Sequence, residues 1–275
     1  MLFKVEKVTN RIFRLIMPYV CCYLVVGDEQ AVLIDCGWGY GDIKAVAQTL
    51  TNLPITLVLS HGHPDHNGSA VQFDDVYLNE RDFNMIEAQS EIALRRQLML
   101  KYVASDFVEN LNLWQAPRTA LYTPLTEDIQ FHLGGLTILP YDLPGHSMGC
   151  MVFIIPEERI AIFGDAISHP TLMFLENSST IQEHYEAMVK FSVHAQQYDR
   201  VLVNHETFEL DKRVLDNNIR LAKAILDGTD EKIPASKRNQ RFSGHTVLMA
   251  RQREPWLPSE PHKIGNIYYR DDRIQ

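Results

Sequence analysis

Residues 61–66 of the chain read His-Gly-His-Pro-Asp-His. Three imidazoles and a carboxylate this close together, His61, His63, Asp65 and His66, are the usual ligand set for zinc, iron or manganese. A polar loop with surface histidines is the alternative. The preceding run Ile55–Ser60 argues against it, because its apolar, β-branched residues read as a buried strand. Three further side chains of ligand type share this position. His146 in Pro-Gly-His-Ser, Asp165 in Phe-Gly-Asp-Ala and His205 in Val-Asn-His-Glu each follow an apolar strand or a strand-ending loop. Together the seven suffice for two metal ions. Strand-end loops meet at one edge of a sheet sandwich, which is how residues so far apart in sequence could converge.

The elements that must position these groups can be read in order. Arg11–Met17, Cys21–Val26 and Ala31–Asp35 are short strands separated by turn residues. The third runs into the glycine-rich loop Asp35-Cys36-Gly37-Trp38-Gly39, and Asp42 caps a helix carrying Ile43, Val46, Ala47 and Leu50. Pro64 disfavours helical geometry at His63, so the histidines do not share one continuous helix. Gly62 gives the loop freedom to turn the imidazoles inward, and a helix is expected to begin near Asn67. Val76–Leu78 is a strand and Asn79 caps the next helix. Residues 80–117 form a helical insertion, either a lid over the site or a cover for the sheet.

Strands resume at Ala120–Tyr122, Ile129–His132 and Leu136–Tyr141, the last two joined as a hairpin by Gly134-Gly135. Met151–Ile155 and Ile160–Phe163 are strands, Ile181–Gln197 a helix, Arg200–Asn204 a strand and Leu210–Leu226 a helix. Residues 228–275 form a Pro-, Arg- and Lys-rich extension in which Asn266–Arg270 could pair on a sheet edge. Strand blocks interleaved with helices predict an α/β (α+β) fold, a four-layer αββα sandwich. No linker-like stretch divides it, so residues 1–275 are expected to be a single domain.

A net charge of −9 argues against a nucleic-acid or anionic-membrane binder, and no apolar run approaches the length of a membrane span. The first fifteen residues alternate in charge and do not resemble a signal peptide. The four cysteines, Cys21, Cys22, Cys36 and Cys150, lack C-x-x-C spacing. Buried reduced thiols in a cytoplasmic protein are the simplest account of them.

The series HGHPDH, PGHS, FGDA and VNHE, with the Asp-Cys-Gly loop at Asp35, resembles the metallo-β-lactamase superfamily over roughly Arg11 to His205. The resemblance implies the αββα fold and two divalent ions, with zinc first and iron or manganese as alternatives. It places His61, His63 and His146 on one ion and Asp65, His66 and His205 on the other, with Asp165 bridging them. It implies hydrolysis of an ester, thioester or lactone small-molecule substrate by a metal-bridging hydroxide, with Asp65 as the catalytic carboxylate that orients water and passes a proton. A phosphodiesterase on the same dinuclear site, a non-catalytic metal-binding sensor and a persulfide dioxygenase are the other readings. The flavodiiron branch carries a glutamate where this chain has His63. True β-lactamases usually carry a cysteine at the place of Asp165. Two departures stand out. His205 lies in Asn-His-Glu rather than the common Gly-His, and the basic and aromatic glutathione-binding set of glyoxalase II finds no residue-by-residue match.

Asp35 is expected either to orient a ligating imidazole or to cap its glycine turn. His169 would line the substrate pocket or be a loop histidine. His184 and His194 read as partly exposed helix residues, and His132, His245 and His262 as unrelated to the metals. Glu206 reads as solvent-facing. Arg95, Arg96 and Lys101 would either attract an anionic substrate or form a solvated helix face.

Overall fold

The computed structural model describes residues 2–251 and 266–275, so His262 lies outside the described residues. Two compact units emerge. The first comprises Met1–Pro140, Ile155–Glu158 and Asn204–Phe208, and the second Tyr141–Ile154, Arg159–Val203 and Glu209–Gln275.

Unit one is built on seven strands: β1 (Lys4–Lys7), β2 (Ile12–Met17), β3 (Val20–Val26), β4 (Ala31–Ile34), β5 (Ile55–Val58), β6 (Val76–Leu78) and β7 (Thr123–Pro124). They stand in sequence order in one sheet. The first four pair antiparallel through short turns. From β4 onward pairing is parallel, which requires a crossover at each step. The helix α1 (Ile43–Gln48) supplies the first, and its N-cap is Asp42 as expected, with Oδ1 accepting from Ala45 N at 2.9 Å. Six of the seven residues of β3 are buried, so both faces of that strand are covered. The core of the unit gathers Leu24, Leu33, Ile43, Leu57 and Leu78.

Two expectations near the metal motif are corrected. The helix there, α2, spans Pro64–Asn67 and ends at Asn67 rather than beginning there. Proline is well placed at the first helical position, where its missing N–H costs nothing, so Pro64 starts a helix while holding His63 extended (φ −66°, ψ 151°). Gly62 has no positive φ. A Cβ there would lie 3.0 Å from Asp82 Cβ and 3.2 Å from Asp82 O, with Met85 Cε having to move aside.

The insertion contributes α3 (Phe83–Gln89), α4 (Ile92–Met99) and several short 3₁₀ turns. Its Ile86, Met99, Val108 and Trp114 belong to the core of unit one. The strand expected at Ala120–Tyr122 falls instead at β7. A hairpin pairs β8 (Phe131–His132) with the start of β9 (Thr137–Asp142) through Gly134 and Gly135, both at positive φ as such a turn requires.

Unit two carries β10 (Met151–Ile155), β11 (Ile160–Ile162), β12 (Thr171–Met173), β13 (Arg200–Leu202) and β14 (Glu209–Leu210). Strands β14, β13, β11 and β10 neighbour one another in that order. Helix α5 (Ile181–Phe191) opens on a capping box in which Thr180 and Glu183 serve each other's backbone N–H. Helix α6 (Val214–Leu226) starts later than expected because Leu210 is taken up by β14. The C-terminal extension adds β15 (Ile233–Pro234), α7 (Lys237–Ser243), β16 (Val247–Ala250) and β17 (Ile267–Arg270). Strand β17 does pair, but between β12 and β16 rather than on an edge. The core of this unit includes Val152, Phe163, Met188, Val201, Ala222 and Tyr269.

Candidate metal centre

Strands β4 and β5 run parallel with Ile34 opposite Val58, so the residues just beyond them leave the same end of the sheet. Asp35 follows β4, and Ser60 and His61 follow β5. Asp35 is fully buried and held at φ +63°, a backbone conformation that non-glycine residues rarely adopt. Its Oδ1 accepts from Ser60 N at 2.7 Å. Its Oδ2 accepts from Ser60 Oγ at 2.8 Å, His66 Nδ1 at 2.9 Å and Asn204 Nδ2 at 2.8 Å. Of the two expected roles, the bond to His66 is the one that orients an imidazole.

These bonds fix protons. A carboxylate and a carbonyl can only accept, so His66 Nδ1 donates to Asp35, and His205 Nδ1 donates to Tyr19 O at 2.6 Å. The Ser60 hydroxyl hydrogen is spent on Asp35, so His61 Nδ1 donates to Ser60 Oγ at 3.0 Å. In their neutral form all three imidazoles therefore carry the lone pair on Nε2.

In unit one, His66 Nε2 lies 3.3 Å from His205 Nε2, and Asp65 Oδ2 lies 3.7 Å from the first and 3.5 Å from the second. With the protons on Nδ1, three acceptor atoms face each other and electrostatics alone would drive them apart. A cation among them removes the conflict. An ion bonded to nitrogen and oxygen at about 2.0–2.1 Å in tetrahedral geometry needs ligand atoms roughly 3.3–3.4 Å apart. The observed edges fit that requirement to within a few tenths of an ångström, so this donor set suits a divalent metal. His61 and His63 lie alongside, with the His61 ring centroid 4.1 Å from that of His66 and 4.8 Å from that of His63.

The loop carrying these ligands is tied down by groups with no catalytic chemistry of their own. Asn67 Nδ2 donates to the carbonyls of Gly62 and His63, and Gly62 N donates to the buried Asp82 carboxylate at 2.9 Å. Just past the loop, Arg95 is 1% exposed and donates to the carbonyls of Trp38, Gly68, Ser90 and Gln115. It is thus neither a solvated residue nor a free anion trap. Burial lowers the pKa of its guanidinium.

Unit two presents a second pair. His146 follows β9 through Leu143-Pro144-Gly145, and its Nδ1 donates to Leu172 O at 2.8 Å. Asp165 follows β11, and its Oδ2 lies 3.5 Å from His146 Nε2, again two acceptors face to face. Ser178 Oγ donates to the His146 carbonyl at 3.0 Å and Ser179 N to that of Gly145 at 2.9 Å. His184 departs from expectation. It is fully buried, its Nδ1 donates to Pro144 O at 2.7 Å, and burial lowers its pKa to about 4. A Cβ on Gly145 would come within 2.5 Å of its ring.

His169 is buried ahead of β12, while His194 is partly exposed and Glu206 exposed, as expected. All four cysteines are buried and free. Burial pushes the Cys22 and Cys36 thiols up, which disfavours the thiolate a metal ligand would need. Sequence reasoning missed Ser60, Asp82, Asn204 and His184. Of these, only Ser60 carried a local signal, as a hydroxyl adjoining His61.

The family model of the metallo-β-lactamase superfamily matches residues 19–185, and the chain belongs to that superfamily. The superfamily is one of metallo-hydrolases. Among relatives, hydroxyacylglutathione hydrolase GloC of Haemophilus influenzae is 29% identical over 53% of this chain and 66% of its own length. A probable metallo-hydrolase of Streptococcus pyogenes is 24% identical over 54% of this chain and 62% of its own length. The chain thus spans less than two thirds of each. Solved structures share the fold. A metallo-β-lactamase from Pontibacter korlensis has a TM-score of 0.58 at 19% identity, over 80% of this chain and 99% of that one. The sec-alkyl sulfatase PisA1 has a TM-score of 0.59 at 12% identity, over 82% of this chain and 42% of that one. Among the described residues, no helix is long and apolar enough to cross a membrane.

Proposed function

We propose that the protein is a dinuclear metal-dependent hydrolase of an ester, thioester or lactone, acting in the cytoplasm on a small-molecule substrate. The observation that carries this reading is the Asp65, His66 and His205 set, whose facing acceptor atoms and fixed Nδ1 protons call for a cation. His61, His63 and His146 would hold a first ion, that set a second, and Asp165 would bridge them. Zinc fits the nitrogen-rich set best, with iron or manganese as alternatives. Such a pair of ions supplies a nucleophilic water at neutral pH and polarises the oxygen of the group under attack.

The chain's own residues do the rest. Asp35 keeps the His66 Nδ1 protonated and, through Ser60, that of His61, so that both present Nε2 lone pairs. Tyr19 O does the same for His205, and Leu172 O for His146. Asp65 would orient the attacking water and pass its proton to the leaving group. Asp165 would offset part of the positive charge of the ions, and His169 would line the substrate pocket. The thioester reading draws support from the name of the Haemophilus relative.

Elemental analysis of the purified protein tests the metal, with about two divalent ions per chain expected. A panel of thioesters, lactones and bis(p-nitrophenyl) phosphate on the loaded protein tests the reaction. Turnover of the phosphodiester alone would replace this reading with a phosphodiesterase. Full occupancy with no turnover on any substrate would replace it with a metal sensor.

A further inference from the structure

We propose that Asn204 is a positioning residue that sets the spacing of the His66 and His205 imidazoles, an inference that rests on the metal-centre reading. Asn204 directly precedes His205 in the chain, and it is fully buried. Its side chain points at two groups that only accept, the Cys21 carbonyl at 2.7 Å and Asp35 Oδ2 at 2.8 Å. The chemistry of those partners identifies the atom facing them as the amide nitrogen, with both its hydrogens used. The Asn204 carbonyl in turn accepts from Cys21 N at 2.8 Å. One residue is therefore fastened by two bonds to Cys21 at the start of β3 and by a third to Asp35 beyond β4.

The next residue is His205. The turn beyond it is strained, with Glu206 at φ +57° and Phe208 at φ +60°. Its far side is held by Tyr23, whose hydroxyl donates to Phe208 O at 3.1 Å. Its near side is held by Asn204. Asp35 Oδ2 is thus shared: it holds His66 directly and the backbone that delivers His205 through Asn204. A single carboxylate oxygen sets both imidazoles whose Nε2 atoms stand 3.3 Å apart. Glycine at this position would leave the His205 arm tied to β3 by its backbone alone.

Stepwise zinc titration against a competing chelator tests this, using the full chain and its Asn204→Gly and Asn204→Asp variants. Wild-type protein should take up two ions. Each variant should bind one of the two about 10- to 100-fold more weakly, the usual cost of losing a group that orients a ligand, and keep the other within about threefold. Asn204→Asp keeps the shape and exchanges a donor for an acceptor beside Asp35, so a role in packing alone would leave it unchanged. Asn204→Gly carries the test if the aspartate variant does not fold. Unchanged affinities, or equal weakening of both ions, would overturn the assignment. Wild-type protein that takes up no divalent ion would overturn the metal-centre reading itself.

Discussion

Replacing Arg95 by methionine should cost about 3 kcal/mol of stability. The wild-type guanidinium spends its donors on four carbonyls: Nε on Ser90 O, Nη1 on Trp38 O and Gly68 O at 3.0 Å each, and Nη2 on Gln115 O. Ser90 and Gln115 are only half-buried, so water can replace the arginine there. Trp38 and Gly68 are buried, and their carbonyls would lose a charged donor with nothing to take its place. Leaving a buried polar group unsatisfied costs roughly 1–3 kcal/mol, so the two together lose about 2–6 kcal/mol. Relief of the guanidinium's own desolvation cost offsets part of this and brings the net into the lower half of that range. Methionine retains most of the apolar contact, so the change isolates the donors. Urea unfolding of the metal-stripped protein, followed by circular dichroism, measures the loss. Arg95→Lys should recover little, because one ammonium cannot span four carbonyls spread over residues 38 to 115. A loss below about 1 kcal/mol in both variants would refute the reasoning, since it would mean the carbonyls around Arg95 rehydrate at no cost.

Three further outcomes are expected. Asp35→Asn places an amide where four donors converge, and should weaken metal binding about 10- to 100-fold by chelator competition, with a matching loss of activity. Gly145→Ala puts a methyl group 2.5 Å from the His184 ring, and should destabilise the protein by about 1–3 kcal/mol in thermal melts while lowering metal content, because His146 is the next residue. Stability should also depend on His184 and pH. Its folded pKa of about 4 lies below the ordinary 6.5, so the unfolded chain binds the extra proton first. The contribution is whole above pH 6.5 and is lost as pH falls toward 4, at about 1.4 kcal/mol per unit. Relative to His184→Gln, the wild-type protein should lose about 2 kcal/mol between pH 7 and pH 5 in urea midpoints, and parallel pH profiles would contradict the assignment.

What the sequence reveals and what it hides divide along a physical line. Asp42 caps α1 through Ala45 N three residues away, and Gly134-Gly135 turn a hairpin between neighbouring strands. Features of this kind are legible because both partners lie within a few positions. The ligand motif itself is legible for the same reason. Arg95, His184 and Asn204 are different. Polarity serves as a proxy for exposure in sequence reading, and by that proxy Arg95 and His184 belong on helix surfaces. Each is buried because carbonyls or a carboxylate from distant segments converge on it: residues 38, 68 and 115 on Arg95, residue 144 on His184, and residues 21 and 35 on Asn204. A buried polar group must be satisfied, and the partner that satisfies it is thereby fixed. Here the fixed partners are Gly68 after the HGHPDH loop, Pro144 before His146, and Asp35 beneath His66. The residues at which polarity misleads are therefore the ones that hold the candidate ligands in place, and a sequence reading that seeks only metal-binding side chains passes over their supports.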